Sequence, residues 1–182
     1  MKTKALSIRE VCGIGLFVAI IAVCAQVSIP MPYGVPMTLQ TFAIPLAGAV
    51  LGAKKGTIAA LAYILLGATG VPVFAGFAGG IGMFFGRTGG FILAFPIMAL
   101  TAGIGAKKNN IIWLVTWLVI GAIALYISGM LMFSLVTSSS LATSFALVVT
   151  PFIPTEIVKI AMVVILSRLI NNALEKSGVN TR

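Results

Sequence analysis

A chain of 182 residues that is 60% hydrophobic and only 8% charged has too little polar surface to be solvated as a globule, since a soluble domain carries about 25% charged residues. The composition predicts an all-α integral membrane protein, a single membrane-embedded domain over 1–182. A net charge of +9 would raise nucleic acid as a partner in a soluble protein, but here the basic residues stand at the ends of apolar runs, where membrane topology explains them and no nucleic acid is needed.

Six apolar runs follow one another. The N-terminal "MKTKALSIRE" puts basic residues ahead of an apolar stretch, as a signal peptide does. The stretch continues to residue 29 with no small-residue cleavage site followed by a soluble domain, so 11–29 is expected to be a retained first span. Cys12 and Cys24 lie in it without metal-type spacing and read as packing residues; with no His in the chain, metal, haem and thiol chemistry are not expected, and no cofactor is implied. Gly15 and Ala19 are four apart, with Ala22 about one turn on. Small residues at that spacing let another helix approach closely, from within the protein or from a partner subunit. The second run, 38–53, opens with Thr38, Gln40 and Thr41. Capping explains Thr38, whereas the Gln40 amide donates and accepts and is a candidate ligand contact. This run and the third, 57–71, are shorter than the roughly 20 residues of a span. They cross a thinned region, are shielded by neighbours, or form one hairpin that does not fully cross. The remaining runs are 89–106, 111–136 and 141–174.

Six crossings would put Lys2, Lys4, Arg9, Lys54, Lys55, Lys107, Lys108, Arg168, Lys176 and Arg182 on one side, leaving Arg87 and Lys159 for the other. Basic residues concentrate on the cytoplasmic side, so both termini are expected there, and five crossings would break the segregation. The inner connections are then minimal ("AKKG", "AKKNN"), while the outer ones are elaborate. One outer stretch is "SIPMPYGVPMTLQTF", 28–42; another is "GVPVFAGFAGGIGMFFGRTGG", 70–90. Glycines in the latter permit sharp turns or close approach of backbone to a ligand. No strand–turn–helix unit surrounds them, so they are not a dinucleotide fingerprint. Arg87 either pairs with a ligand carboxylate or snorkels to the interface. Tyr33, Phe42, Phe74, Phe77, Phe84 and Phe85 gather around these loops, as an interfacial belt or as walls for an apolar ligand.

The sharpest feature is "PTEIVK" inside the last run. Pro154 suits a first helical turn or a kink. Glu156 and Lys159 are three apart on one helix face, in a chain whose other acidic residues are Glu10 and Glu175. An ionisable pair within a membrane is either an internal ion pair or a ligand site, and the second is the default. Lysine anchors a carboxylate; ionised glutamate accepts from N–H donors. No nucleophile set, no second carboxylate near Glu156 and no phosphate loop with its lysine is present, so the chain is not expected to be an enzyme or to hydrolyse ATP.

From "VPMTLQTFAIPLAGAV" through "VPVFAGF" and "TGGF" to "FIPTEIVKIAM", nearly the whole chain resembles the BioY family, the biotin-specific S components of energy-coupling factor (ECF) transporters. The resemblance implies a six-helix protein, multi-pass in the cell membrane, that captures biotin at its outer face. It also implies a membrane coupling subunit (T component) and two cytoplasmic ATPase subunits as partners; the small-residue spacing of Gly15 and Ala19 makes them the candidate contact with that coupling subunit. The family's acidic and basic positions fall on Glu156 and Lys159. Departures are Glu156 where aspartate is usual, Thr155 where glycine is usual, Phe91 in place of tyrosine, and Arg87 where many relatives have proline. Biotin's valerate carboxylate would suit Lys159 or Arg87, and its ureido group Glu156 and Gln40 beside Thr41. Its thioether ring would suit walls drawn from Tyr33, Phe74, Ala75, Gly79 and Gly80. Rival readings are an S component for another small vitamin, a membrane-embedded enzyme using Glu156, and an assembly subunit with no ligand.

Overall fold

The structure, a computed structural model, describes residues 6–177, so Lys2, Lys4 and Arg182 of the expected basic end lie outside the described residues. Ser7 starts the first helix. Its hydroxyl accepts from the Glu10 amide at 3.3 Å while the Glu10 carboxylate accepts from the Ser7 amide at 2.8 Å, a reciprocal cap that satisfies two otherwise orphaned donors. Helix α1 is Ile8–Gln26, three residues earlier at each end than its apolar run suggests. The chain then enters a two-stranded antiparallel ribbon, β1 (Ser28–Ile29) and β2 (Met37–Thr38).

Helices α2 (Gln40–Leu51) and α3 (Ala53–Ala68) are separated by Gly52 alone, at φ +83°, a left-handed conformation that glycine adopts without steric cost. The two fold back on each other so tightly that a Cβ at Gly56 would strike the Gly48 backbone. Every residue of α2 from Phe42 to Leu51 is buried. Shielding by neighbours is therefore how a helix of 12 residues fits this molecule without matching a bilayer's thickness.

After two short 3-10 turns, Ala75–Phe77 and Ile81–Phe85, come α4 (Gly89–Gly105) and α5 (Ile111–Thr137). The last apolar run is broken: α6 (Leu141–Val148), a 3-10 turn at Thr150–Phe152, and α7 (Ile153–Lys176). Pro154 occupies the first turn of α7, as its chemistry predicts. The helical segments thus match the six expected runs in order. Three of them, Ile8–Gln26, Ile111–Thr137 and Leu141–Lys176, are long and apolar enough to cross a membrane.

Helix α7 is inverted relative to a helix in water. Its buried face is Glu156, Lys159, Val163, Ser167 and Asn171, while Ile157, Val158, Ile165 and Leu169 are exposed. That is stable where the surroundings are as apolar as the core.

One end of the molecule gathers the polar turns. Lys55 pairs with Glu10 at 3.2 Å, Arg168 donates to Asn109 at 3.3 Å, and Asn171 donates to the Ala49 carbonyl at 3.2 Å. The last of these supplies a donor to one of the orphan carbonyls that close α2. The opposite end carries the ribbon and the glycine-rich 70–88 segment.

Candidate functional site

Between the ribbon loop, the glycine-rich segment, the start of α2 and the facing sides of α4, α5 and α7 lies a cavity of about 510 Å³, within the roughly 300–1,000 Å³ of small-molecule sites. Its walls are mostly apolar, with Phe74, Phe91, Phe95 and Phe152 among them. Phe74 is 1% exposed and is held edge-on against Tyr63 at 5.5 Å and Phe84 at 6.1 Å.

The polar groups sit at two depths. At the floor, Lys159 is buried and donates to Thr41 Oγ1 at 2.8 Å. Its Nζ is 4.0 Å from Glu156 Oε2, an electrostatic pair longer than a hydrogen bond. Glu156 Oε2 instead accepts from Tyr126 Oη at 3.1 Å, and Tyr126 lines the cavity. Among the described residues, Glu156 Oε1 is buried with no hydrogen-bond partner. Beside them, Thr38 donates to Gln40 Oε1 at 2.9 Å, and Gln40 Nε2 donates to Tyr63 Oη at 2.8 Å. At the mouth, Arg87 is exposed and reaches across to the Tyr33 carbonyl at 3.3 Å, joining the glycine-rich segment to the ribbon loop.

Of the residues expected from the sequence, Gln40, Thr41, Phe74, Ala75, Arg87 and Lys159 line the cavity. Glu156 stands directly behind Lys159. Tyr33 is half exposed and contributes its carbonyl to Arg87 rather than its ring to a wall. Gly79 and Gly80 are not lining residues. A Cβ at Gly79 would strike the Val71 carbonyl, and Gly80, at φ +95°, donates to the Gly67 carbonyl at 2.7 Å. Gly79 is glycine because backbone approaches backbone there, and Gly80 because its φ lies in the left-handed region. On α1, Gly15 and Ala19 face outward and nothing lies within 4 Å of where a Gly15 side chain would begin, so they do not pack the protein's own core. Cys12 is exposed rather than packed inside, and Cys24 is partly buried.

Tyr126 is the residue that sequence reasoning missed. It is one of three tyrosines in the chain and stands inside an otherwise apolar span, where a hydroxyl needs a partner; that was the available signal. Its ring meets Phe91 edge-on at 6.4 Å.

A model of the BioY family matches residues 1–176. The chain belongs to the BioY family. Among its relatives, a probable biotin transporter BioY of Pyrococcus horikoshii is 43% identical over 159 residues, covering 87% of this chain and 94% of that protein. The biotin transporter BioY of Rhodobacter capsulatus is 36% identical over 176 residues, covering 89% of this chain and 93% of the relative. A crystal structure of the S-component for biotin from an ECF-type ABC transporter superposes with a TM-score of 0.84 at 26% identity, covering 92% of this chain and 95% of the other. The BioY-family chain is accordingly a membrane protein of the transporter class and not an enzyme.

Proposed function

We propose that this chain is the biotin-capturing S component of an ECF-type importer. It is one multi-pass domain of the cell membrane with both termini cytoplasmic and the cavity opening outward. The observation that carries the proposal is the arrangement of the cavity's polar groups. Lys159 lines the floor with the Glu156 carboxylate 4.0 Å from its ammonium, Arg87 stands at the mouth, and aromatic walls lie between them. Biotin presents the complementary groups in the same order. Its ureido ring offers N–H donors and a carbonyl acceptor, its thioether ring is apolar, and its valerate chain ends in a carboxylate.

The ureido group belongs at the floor. There Glu156 Oε1 takes an N–H, and the ammonium of Lys159 donates to the carbonyl. The carboxylate belongs at the mouth with Arg87. Placing a second anion beside Glu156 in a desolvated floor would cost more than one cation returns, whereas Arg87 is exposed and its fork matches a carboxylate. Support for the topology comes from the polar end, where Lys55 and Arg168 join the turns opposite the cavity, as a cytoplasmic face requires. The outward small-residue face of α1 suits close docking of the coupling subunit, through which two cytoplasmic ATPases would supply the energy.

The test is to purify the protein from cells grown in complete medium and identify by mass spectrometry the small molecule it releases on denaturation. Biotin in near-stoichiometric amount is expected. Another vitamin, or none, would remove the assignment.

A further inference from the structure

We propose that Gln26, which is not one of the cavity's lining residues, holds the cavity's outer wall in place and so governs how slowly bound ligand leaves. The part concerning biotin rests on the function proposed above. Gln26 closes α1, and its side-chain amide spans the segment that follows α3. Nε2 lies 3.1 Å from the Phe74 carbonyl, 3.3 Å from the Val73 carbonyl and 3.2 Å from the Ala22 carbonyl of its own helix. Oε1 accepts from the Phe77 amide at 2.9 Å. One side chain thus engages both limbs of the small loop that the Phe74 amide and Ala78 carbonyl close at 2.9 Å.

That loop needs an external hold. Gly76 and Phe77 both have positive φ, +69° and +56°. Glycine accepts this freely, but a phenylalanine there is disfavoured by contact of its Cβ with the backbone. Packing within the chain supplies little compensation, because Phe77 is 71% exposed. The Gln26 oxygen on the Phe77 amide is the polar contact that fixes this residue. On the inner side of the same loop, Phe74 and Ala75 form cavity wall. The Phe74 ring is also packed against Tyr63 and Phe84, but the Gln26 amide bridges both limbs of the loop, so its loss frees the loop that carries this wall. Gln26 is therefore a positioning residue: it acts on ligand through Phe74 and Ala75, without touching it.

The test compares wild type with Gln26→Met, which matches the side chain in length but neither donates nor accepts at that place. Association and release of radiolabelled biotin are measured on purified protein. Hydrogen exchange is followed, without ligand, in the peptide covering 73–78 and in the helices. Losing several hydrogen bonds of about 1 kcal/mol net each corresponds to release roughly 10- to 100-fold faster, with association changed by less than about threefold, as interface changes act mainly on release. Exchange should speed up at 73–78 and stay unchanged in α2, α4 and α5. Wild-type release from Gln26→Met, or exchange accelerated equally in every helix, would overturn the proposal. If wild type does not bind biotin, the functional reading fails separately. The ligand-free exchange then decides the matter: selective acceleration at 73–78 sustains the latch, and any other pattern removes it.

Discussion

Lys159 donates to Thr41 and stands 4.0 Å from Glu156, so the two charges attract without consuming each other's hydrogen-bonding capacity. Among the described residues Glu156 Oε1 makes no hydrogen bond. A buried carboxylate oxygen left without a partner is costly, and under the proposed function a ligand N–H would offset that cost. Truncating one partner of a buried charged contact typically costs about 2–5 kcal/mol, or about 30-fold to several thousandfold in affinity. Glu156→Ala and Lys159→Ala should each weaken biotin binding within that range while the protein stays folded, as read by equilibrium binding and by thermal unfolding without ligand. Tyr126→Phe removes the donor on Glu156 Oε2 without changing ring volume. A hydrogen bond to a charged group is worth about 1.5–3 kcal/mol, so a loss of about ten- to hundredfold in affinity is expected from the same assay. The carboxylate role separates by ligand. A biotin amide should bind wild type more weakly than biotin does, yet bind Arg87→Ala about as well as biotin does. Discrimination that survives in Arg87→Ala but vanishes in Lys159→Ala would assign the carboxylate to Lys159. At this scale the sequence showed the ionisable pair, because charge inside an apolar run is conspicuous. It did not show Tyr126 as their partner, since a tyrosine in a membrane helix reads equally as packing. Nor did it distinguish the glycines: Gly79 is needed by a close backbone contact and Gly80 by a positive φ, neither of which a local pattern encodes.

The helices were legible because their surroundings are apolar. Runs without charge extend until a turn, and turns carry the lysine pairs, so six segments could be read in order. The breaks that escaped are those governed by tertiary contact. The ribbon strands are two residues each, too short for an alternating pattern, and the last run divides at Thr150–Phe152, where Pro151 and Pro154 were the only hints. The start of α1 at Ile8 was set by the Ser7–Glu10 cap, a local signal lying upstream of the apolar run. Helix α1 also carries the clearest prediction about assembly. Gly15 and Ala19 face outward, and a bulky side chain there would hold a partner helix away while leaving this chain's own packing intact. Ala19→Trp should abolish ATPase-dependent uptake in cells while biotin binding by the purified chain is unchanged. Equal loss of binding would mean that the face matters to the chain's own fold.

The arrangement of charge over the molecule gives the account its direction. Lys54 and Lys55 open α3 and Lys107 and Lys108 follow α4 at one end, joined there by Arg168 through Asn109; Arg87 and Lys159 lie at the other, in the cavity. In a protein without other cysteines, Asn109→Cys should resist an impermeant thiol reagent added to intact cells and react once the membrane is opened. Labelling from outside would reverse the orientation. The central claim, that the cavity is a site for biotin, is tested most directly by equilibrium binding of radiolabelled biotin to the purified chain after removal of any retained ligand. Saturable binding of one biotin per chain is predicted, displaced by unlabelled biotin and not by an excess of other small vitamins. Absence of saturable binding, or equal displacement by a vitamin lacking a ureido ring, would contradict it.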